Sequence, residues 1–159
     1  MRHLKRTAKL GRTGSHRNAM LANLVCSLIL HKRVTTTLAK AKAARIVAEK
    51  MLTLGRRALV ARNAAGTVSD STEKRDLVAK SVHLRRLAVS NLHQEAAVKI
   101  LFNEISTASK ERRGGYTRII RLGQRQGDVA KMVILEWVDG ADPGPAVAPI
   151  EEKVDLAKA

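Results

Sequence analysis

The first 48 residues of the chain contain 11 Lys or Arg and not one Asp or Glu; the first acid is Glu49. Like charges crowded onto one compact body repel one another, so a block this one-sided is unfavourable unless a polyanion supplies the missing negative charge. Nucleic acid fits that description better than an anionic membrane or an acidic protein. The rest of the chain dilutes the excess without cancelling it. Residues 1 to 139 hold 28 basic and 10 acidic side chains, a charge of +18, and residues 140 to 159 hold 2 and 4, a charge of −2, which leaves +16 for the 159 residues.

Several classes are excluded by the same reading. Hydrophobic residues make up 45% of the chain, enough to build a core, so the charge does not imply wholesale disorder. The length suits one domain with extensions. One cysteine, Cys26, allows no internal disulfide and no multi-cysteine zinc site, which suits an intracellular protein. No apolar run reaches the roughly 18 residues of a membrane span. Met1 to Gly14 lacks the apolar stretch of a secretory signal, although basic, acid-poor starts are shared with mitochondrial presequences. The only aromatics are Phe102, Tyr116 and Trp137, too few for a module that stacks successive bases.

The pattern of apolar residues predicts the elements. Residues 1 to 14 have no apolar periodicity and read as a basic arm ordered by its partner. Ser15 is a plausible N-cap for a helix to about Lys32, with Met20, Leu21, Leu24, Val25, Leu28 and Ile29 on one face and Cys26 beside them as a small buried hydrophobe. The β-branched run Val34 to Thr37 predicts a short strand. A long alanine-rich helix follows from Leu38 to about Arg62, with Ile46, Val47, Met51, Leu52, Leu54 and Leu59 as its apolar component and Gly55 weakening its second half. Residues 63 to 71 read as a loop.

Asp70 and Glu73 resemble a capping box for a third helix, with Leu77, Val78, Leu84, Leu87 and Ala88 on its apolar face, and Asn91 and His93 mark a break or kink. A fourth helix spans His93 to about Ser109. The Gly-rich basic run Lys110 to Gly115 is a loop. Two β-rich runs, Tyr116 to Leu122 and Lys131 to Val138, flank Gly123 to Asp128 and suggest an antiparallel pair joined by a basic loop. Residues 140 to 149 hold all three prolines and open an acidic, flexible tail. The expected architecture is α+β in the order α-β-α-α-α-β-β, a small three-stranded mixed sheet packed on about four helices, with an arm at 1–14, a core at 15–139 and a tail at 140–159.

Nothing in this layout assembles a catalytic or metal site. The five histidines have no ligand spacing, Gly11 to Gly14 is too short for a phosphate-binding loop, and Gly123 to Gly127 lacks the Lys-Ser/Thr that should follow. The acids are scattered apart from Glu151 and Glu152 in the tail. No cofactor, small-molecule substrate or enzymatic activity is expected. A distributed phosphate-binding surface is expected instead, drawn from the acid-free block with its Lys32 and Arg33 and from the Gly-interleaved cations Arg112 and Arg113. Thr35, Thr36 and Thr37 add hydroxyl donors. No helix-turn-helix, zinc-finger spacing or RNA-recognition aromatic signature is present, so a nucleoid-type DNA-binding protein is the alternative reading and an RNA-modifying enzyme a third.

The order of several segments narrows the choice. Met1-Arg2-His3, Ser15-His16-Arg17, Val34 to Lys42, Leu101-Phe102-Asn103-Glu104, Gly114 to Ile119 and Met132 to Glu136 together resemble the bacterial large-subunit ribosomal protein seventeen family, over about residues 1 to 139. The resemblance implies a cytoplasmic, non-catalytic constituent of the large ribosomal subunit that binds large-subunit rRNA and neighbouring ribosomal proteins near the polypeptide exit tunnel. It implies RNA contacts at Arg2, His3, Lys5, Arg6, Lys9 and Arg12 of the arm, His16 and Arg17, Thr36, Thr37, Lys40 and Lys42, and the loop carrying Tyr116 and Arg118. Residues 66 to 92 look longer than the matching stretch of the family, and the tail after Asp139 lies outside the shared pattern.

Overall fold

The computed structural model describes residues 8–139, and the elements follow the expected order. Helix α1 (Gly14–His31) leads through Lys32 into strand β1 (Arg33–Thr37), which passes directly into helix α2 (Leu38–Thr67). Helix α3 (Ser71–Leu92) returns along α2. A composite fourth helix starts as α4 (Glu95–Ile100), widens to a π-helical segment over Leu101–Ile105 and ends in one turn, α5 (Ser106–Ala108). Strands β2 (Thr117–Gln124) and β3 (Lys131–Trp137) complete the chain. The arm residues 1–7 and the tail from residue 140 lie outside the described residues.

The sheet is antiparallel throughout, in the order β1-β3-β2, which corrects the expectation of a mixed sheet. β1 and β2 do run in the same direction, but β3 lies between them, so no parallel pair forms. The reason is compositional: β3 is the most apolar strand and takes the centre, where Val133 through Trp137 are all buried. Val133, Leu135 and Trp137 face the helices, because alternate residues point to one side of a strand.

The second helix runs five residues beyond its expected end. Its buried stripe is Ala41, Ala44, Ala48, Met51, Leu52, Gly55, Ala58, Ala61 and Ala65, whereas Ile46 is exposed. Small residues at three-to-four spacing let α3 approach closely, and burial of Ala61 and Ala65 against it holds Asn63 to Thr67 helical despite their weak propensity. The loop expected at 63–71 therefore shrinks to Val68 to Asp70. Likewise α3 is held by Leu84, Ala88 and Leu92, while Val78 and Leu87 face outward.

Gly55 answers to its partner. A Cβ there would lie 2.1 Å from Ser106 Oγ, so only glycine admits the fourth helix at this distance. Ser106 is buried and its hydroxyl donates to the Leu101 carbonyl at 2.8 Å, five residues back, satisfying a group that the π-helical widening displaces. Three further bonds stitch the layers. Trp137 Nε1 donates to the Leu28 carbonyl of α1 at 3.1 Å, and Glu49 accepts from both the backbone N–H (3.2 Å) and the hydroxyl (3.0 Å) of Thr117. The first acid of the chain is thus a fastener between α2 and β2.

Candidate nucleic-acid interface

Two helix starts in the acid-free block share an unusual chemistry. Helix α1 begins after Thr13, which makes no side-chain cap, and has no acid in its first turn. Helix α2 begins after Thr37 in the same way. The leading backbone N–H groups of a helix carry partial positive charge and need an acceptor, so an uncapped start is a ready anion site. Arg12, His16 and Arg17 surround the first; Lys40 and Lys42 follow the second. Arg12 donates to His16 Nε2 at 3.0 Å, and its own Nε, shielded from solvent, has no partner among the described residues. Arg17, Lys40 and Lys42 make no ion pair among the described residues, and Lys9, exposed, precedes this cluster.

A second group crosses the outer face of the sheet. In β-register, Arg33, Glu136 and Arg118 form one row, with Glu136 at its centre. Arg118 pairs with Glu136, which is buried, while Arg33 is exposed and has no ion pair among the described residues. One carboxylate between two guanidiniums leaves the row net positive. Thr35 is the exposed threonine of β1 and shares this face; Thr36, expected to contact RNA, points inward and is 8% exposed, and Thr37 is half-buried.

The remaining expected contacts divide. Arg113 is exposed, but Arg112 grips Asp139 through two bonds of 2.8 and 3.1 Å. That guanidinium holds the Asp139 carboxyl below the usual carboxylate range. Lys32 pairs with Glu104 at 3.0 Å. Tyr116 is buried at 2% exposure, its hydroxyl accepting from Arg56 at 2.8 Å while the same guanidinium lies 5.8 Å from its ring centre. As placed, Tyr116 is a core residue that orients Arg56 and offers no ring face for stacking. Arg2, His3, Lys5 and Arg6 lie outside the described residues.

Sequence reasoning passed over the exposed cations of the long helices, among them Arg45, Lys50, Arg57, Arg62, Lys80 and Arg86. Arg45 lies inside the acid-free block; Lys50, Arg57 and Arg62 fall in a second acid-free stretch, residues 50 to 69, and Lys80 and Arg86 in a third, residues 77 to 94, so composition offered a signal for these as well. Cys26 is buried, its thiol 3.6 Å from the Leu92 carbonyl and pushed up in pKa by burial. Among the described residues no group of three or more potential metal ligands occurs, and no helix is long and apolar enough to cross a membrane.

Comparison with known proteins turns this surface chemistry into a lineage. Residues 20–138 match the family model described as Ribosomal protein L17. A large ribosomal subunit protein bL17 from Akkermansia muciniphila is 47% identical over 139 residues, covering 87% of this chain and 86% of the relative. The bL17 protein of Methylacidiphilum infernorum is 44% identical over 143 residues (90% and 92%), and that of Opitutus terrae 47% over 145 residues (91% and 77%).

Proposed function

The chain belongs to the ribosomal protein L17 family, and from that premise we propose that it is a structural constituent of the large ribosomal subunit that binds large-subunit rRNA, beside the polypeptide exit tunnel and neighbouring ribosomal proteins of the cytoplasmic ribosome. Membership of a structural family means that the chain is not an enzyme. The observation that carries the RNA reading is the pair of uncapped, acid-free helix starts at Gly14 and Leu38, each set among cations. Phosphate oxygens would supply the missing acceptors at both, and Lys9, Arg17, Arg33, Lys40 and Lys42 would neutralise adjacent phosphates. The arm, with Arg2, His3, Lys5 and Arg6, extends the same chemistry along the RNA. Contacts of this kind position a protein on a folded shape and need no base-edge readout, which agrees with three aromatics that are all buried.

A salt titration of binding to large rRNA fragments tests the reading. The slope of log affinity against log salt is expected to be steep, roughly −0.7 to −0.9 per neutralised phosphate. A nearly flat slope would sink it, and equal affinity for duplex DNA at fixed salt would favour the nucleoid-type alternative. Location is tested separately, by co-sedimentation with the large subunit at high salt and cross-linking to tunnel-rim rRNA.

A further inference from the structure

Between α2 and α3 lies an open groove of about 580 Å³, with Val60, Leu77 and Leu84 on its walls and Arg56, Arg57 and Lys80 among its lining. Val60 is 66% exposed, so the aliphatic wall of the groove is open to solvent. Arg57 and Lys80 have no acid partner among the described residues. We propose that this groove is the docking site of the chain's own acidic C-terminal segment around Ile150 to Leu156, which folds back to cover it.

Three observations commit the groove to that occupant. The first is where the tail departs. Asp139 is bonded to Arg112, two residues from Lys110, whose carbonyl accepts from Arg56 at 2.8 Å. Arg56 lines the groove, so the point where the tail departs is linked to the groove through Arg112, Lys110 and Arg56. The second is reach. The ten residues from 140 to 149 include all three prolines, and an extended Pro-rich spacer of that length reaches about 30 Å. The groove from Thr53 to Ala64 follows eleven helical residues, about 16 Å. The third is complementarity. Ile150-Glu151-Glu152-Lys153-Val154-Asp155-Leu156 interleaves three carboxylates with three aliphatic side chains, matching cations around an aliphatic floor. A tethered segment also has a millimolar-scale effective concentration, so modest contacts suffice.

Other occupants match less well. RNA gains little from Val60, Leu77 and Leu84, and no aromatic is exposed there to stack a base. A second copy would bring a body of the same strong positive charge against Arg57 and Lys80. The docked tail would neutralise those two cations and shield the aliphatic surface of the protein before it meets a partner. The inference does not rest on the rRNA reading, since it concerns the chain alone.

The test is residue-resolved amide hydrogen exchange on the full chain. Reversing the tail charges with Glu151→Lys, Glu152→Lys and Asp155→Lys should speed exchange at residues 57 to 64 and 77 to 84 about fivefold, leaving Val133 to Leu135 unchanged. Adding Arg57→Glu and Lys80→Glu to that variant should restore protection, a result that loss of folding could not mimic. The proposal is overturned if the tail reversal changes nothing in the groove, if exchange rises equally throughout the molecule, or if the second reversal fails to restore protection. Groove protection that grows with protein concentration would assign the groove to a second copy, and protection that appears only on adding an rRNA fragment would assign it to RNA; either result also overturns it.

Discussion

Helices α1 and α2 begin differently from helix α3. Asp70 caps α3 by accepting from the Thr72 N–H at 2.9 Å, and Glu73 stands in its first turn, so that helix start meets its own electrostatic need. The starts of α1 and α2 have neither cap nor acid and are surrounded by cations. An absent cap forgoes about 1 kcal/mol each time. The fold can therefore complete a helix start from its own sequence, as it does at α3. Arginines show the same division: Arg112, Arg118 and Arg125 of the C-terminal loops and strands hold Asp139, Glu136 and Asp128, whereas Arg17 and Arg33 have no ion pair among the described residues. Under the proposed function, charge left unbalanced in the first block is what an anion from outside would meet.

The strongest way to break this contrast is to remove the reserved charge. Arg17→Gln, Arg33→Gln, Lys40→Gln and Lys42→Gln together should lower affinity for large rRNA fragments about 100-fold near 0.1 M salt and make the salt slope shallower by roughly 3. Melting temperature should hold, because none of the four forms an ion pair in the described fold. Combined Arg112→Gln, Arg118→Gln and Arg125→Gln should weaken binding less than about tenfold. Equal losses in the two sets, measured by filter binding, would erase the distinction between reserved and paired charge.

Next in size is a change that should touch stability alone. Gly55→Ala drives a methyl into Ser106, an overpacking that costs about 1 to 3 kcal/mol, readable as a lower urea midpoint. Adding Ser106→Ala removes the hydroxyl and should recover part of the loss, while the salt slope of RNA binding stays as in the native chain. Unchanged stability in Gly55→Ala would mean that α2 and the fourth helix do not approach as closely as the geometry requires.

Gly55 also marks the limit of what the sequence discloses. Read locally it weakens a helix, and only the arrival of Ser106 from 51 positions away explains it. Element order, the cap at Asp70 and the break at His93 were legible, because capping and periodicity are local. Helix α2's true end and its alanine stripe were not, since a small-residue face has no hydrophobic signal and shows itself only when α3 packs there. The central place of β3 was equally hidden, because pairing partners are chosen by the whole sheet. For the interface, the acid-free block directs attention to Arg17, Arg33, Lys40 and Lys42, which have no ion pair among the described residues. It could not separate Thr36 from Thr35, which the strand turns to opposite faces, nor foresee that Tyr116 turns into the core.

A sharper test exchanges the two kinds of helix start. Asp70→Ala should cost about 1 kcal/mol of stability and leave RNA affinity unchanged. Thr13→Asp installs the missing cap on α1 and should stabilise the free protein by about 0.5 to 1 kcal/mol. The same carboxylate occupies the acceptor position that phosphate would take, so RNA binding should fall several-fold. A capped α1 that binds RNA undiminished would show that this helix start is not where the anion sits.

The smallest effect concerns the paired side of the contrast. Arg125 donates to both carboxylate oxygens of Asp128, and the Ala130 N–H adds a third bond, lowering the Asp128 pKa to about 2. A carboxyl held below its unfolded value contributes stability that is complete above the unfolded pKa and is lost as pH falls through the folded one. The β2–β3 loop should thus stay ordered at pH 4 and loosen only near pH 2. Both side chains are about half exposed, so solvent screening confines the effect to the loop and global stability should not register it. Monitored through the Ala130 amide resonance, the transition should have its midpoint near 2 in the native chain and move up toward the ordinary carboxylate range in Arg125→Gln. A midpoint unmoved by that substitution would mean that the pair is not what holds the loop, and that charge in this half of the molecule is less self-contained than the contrast requires.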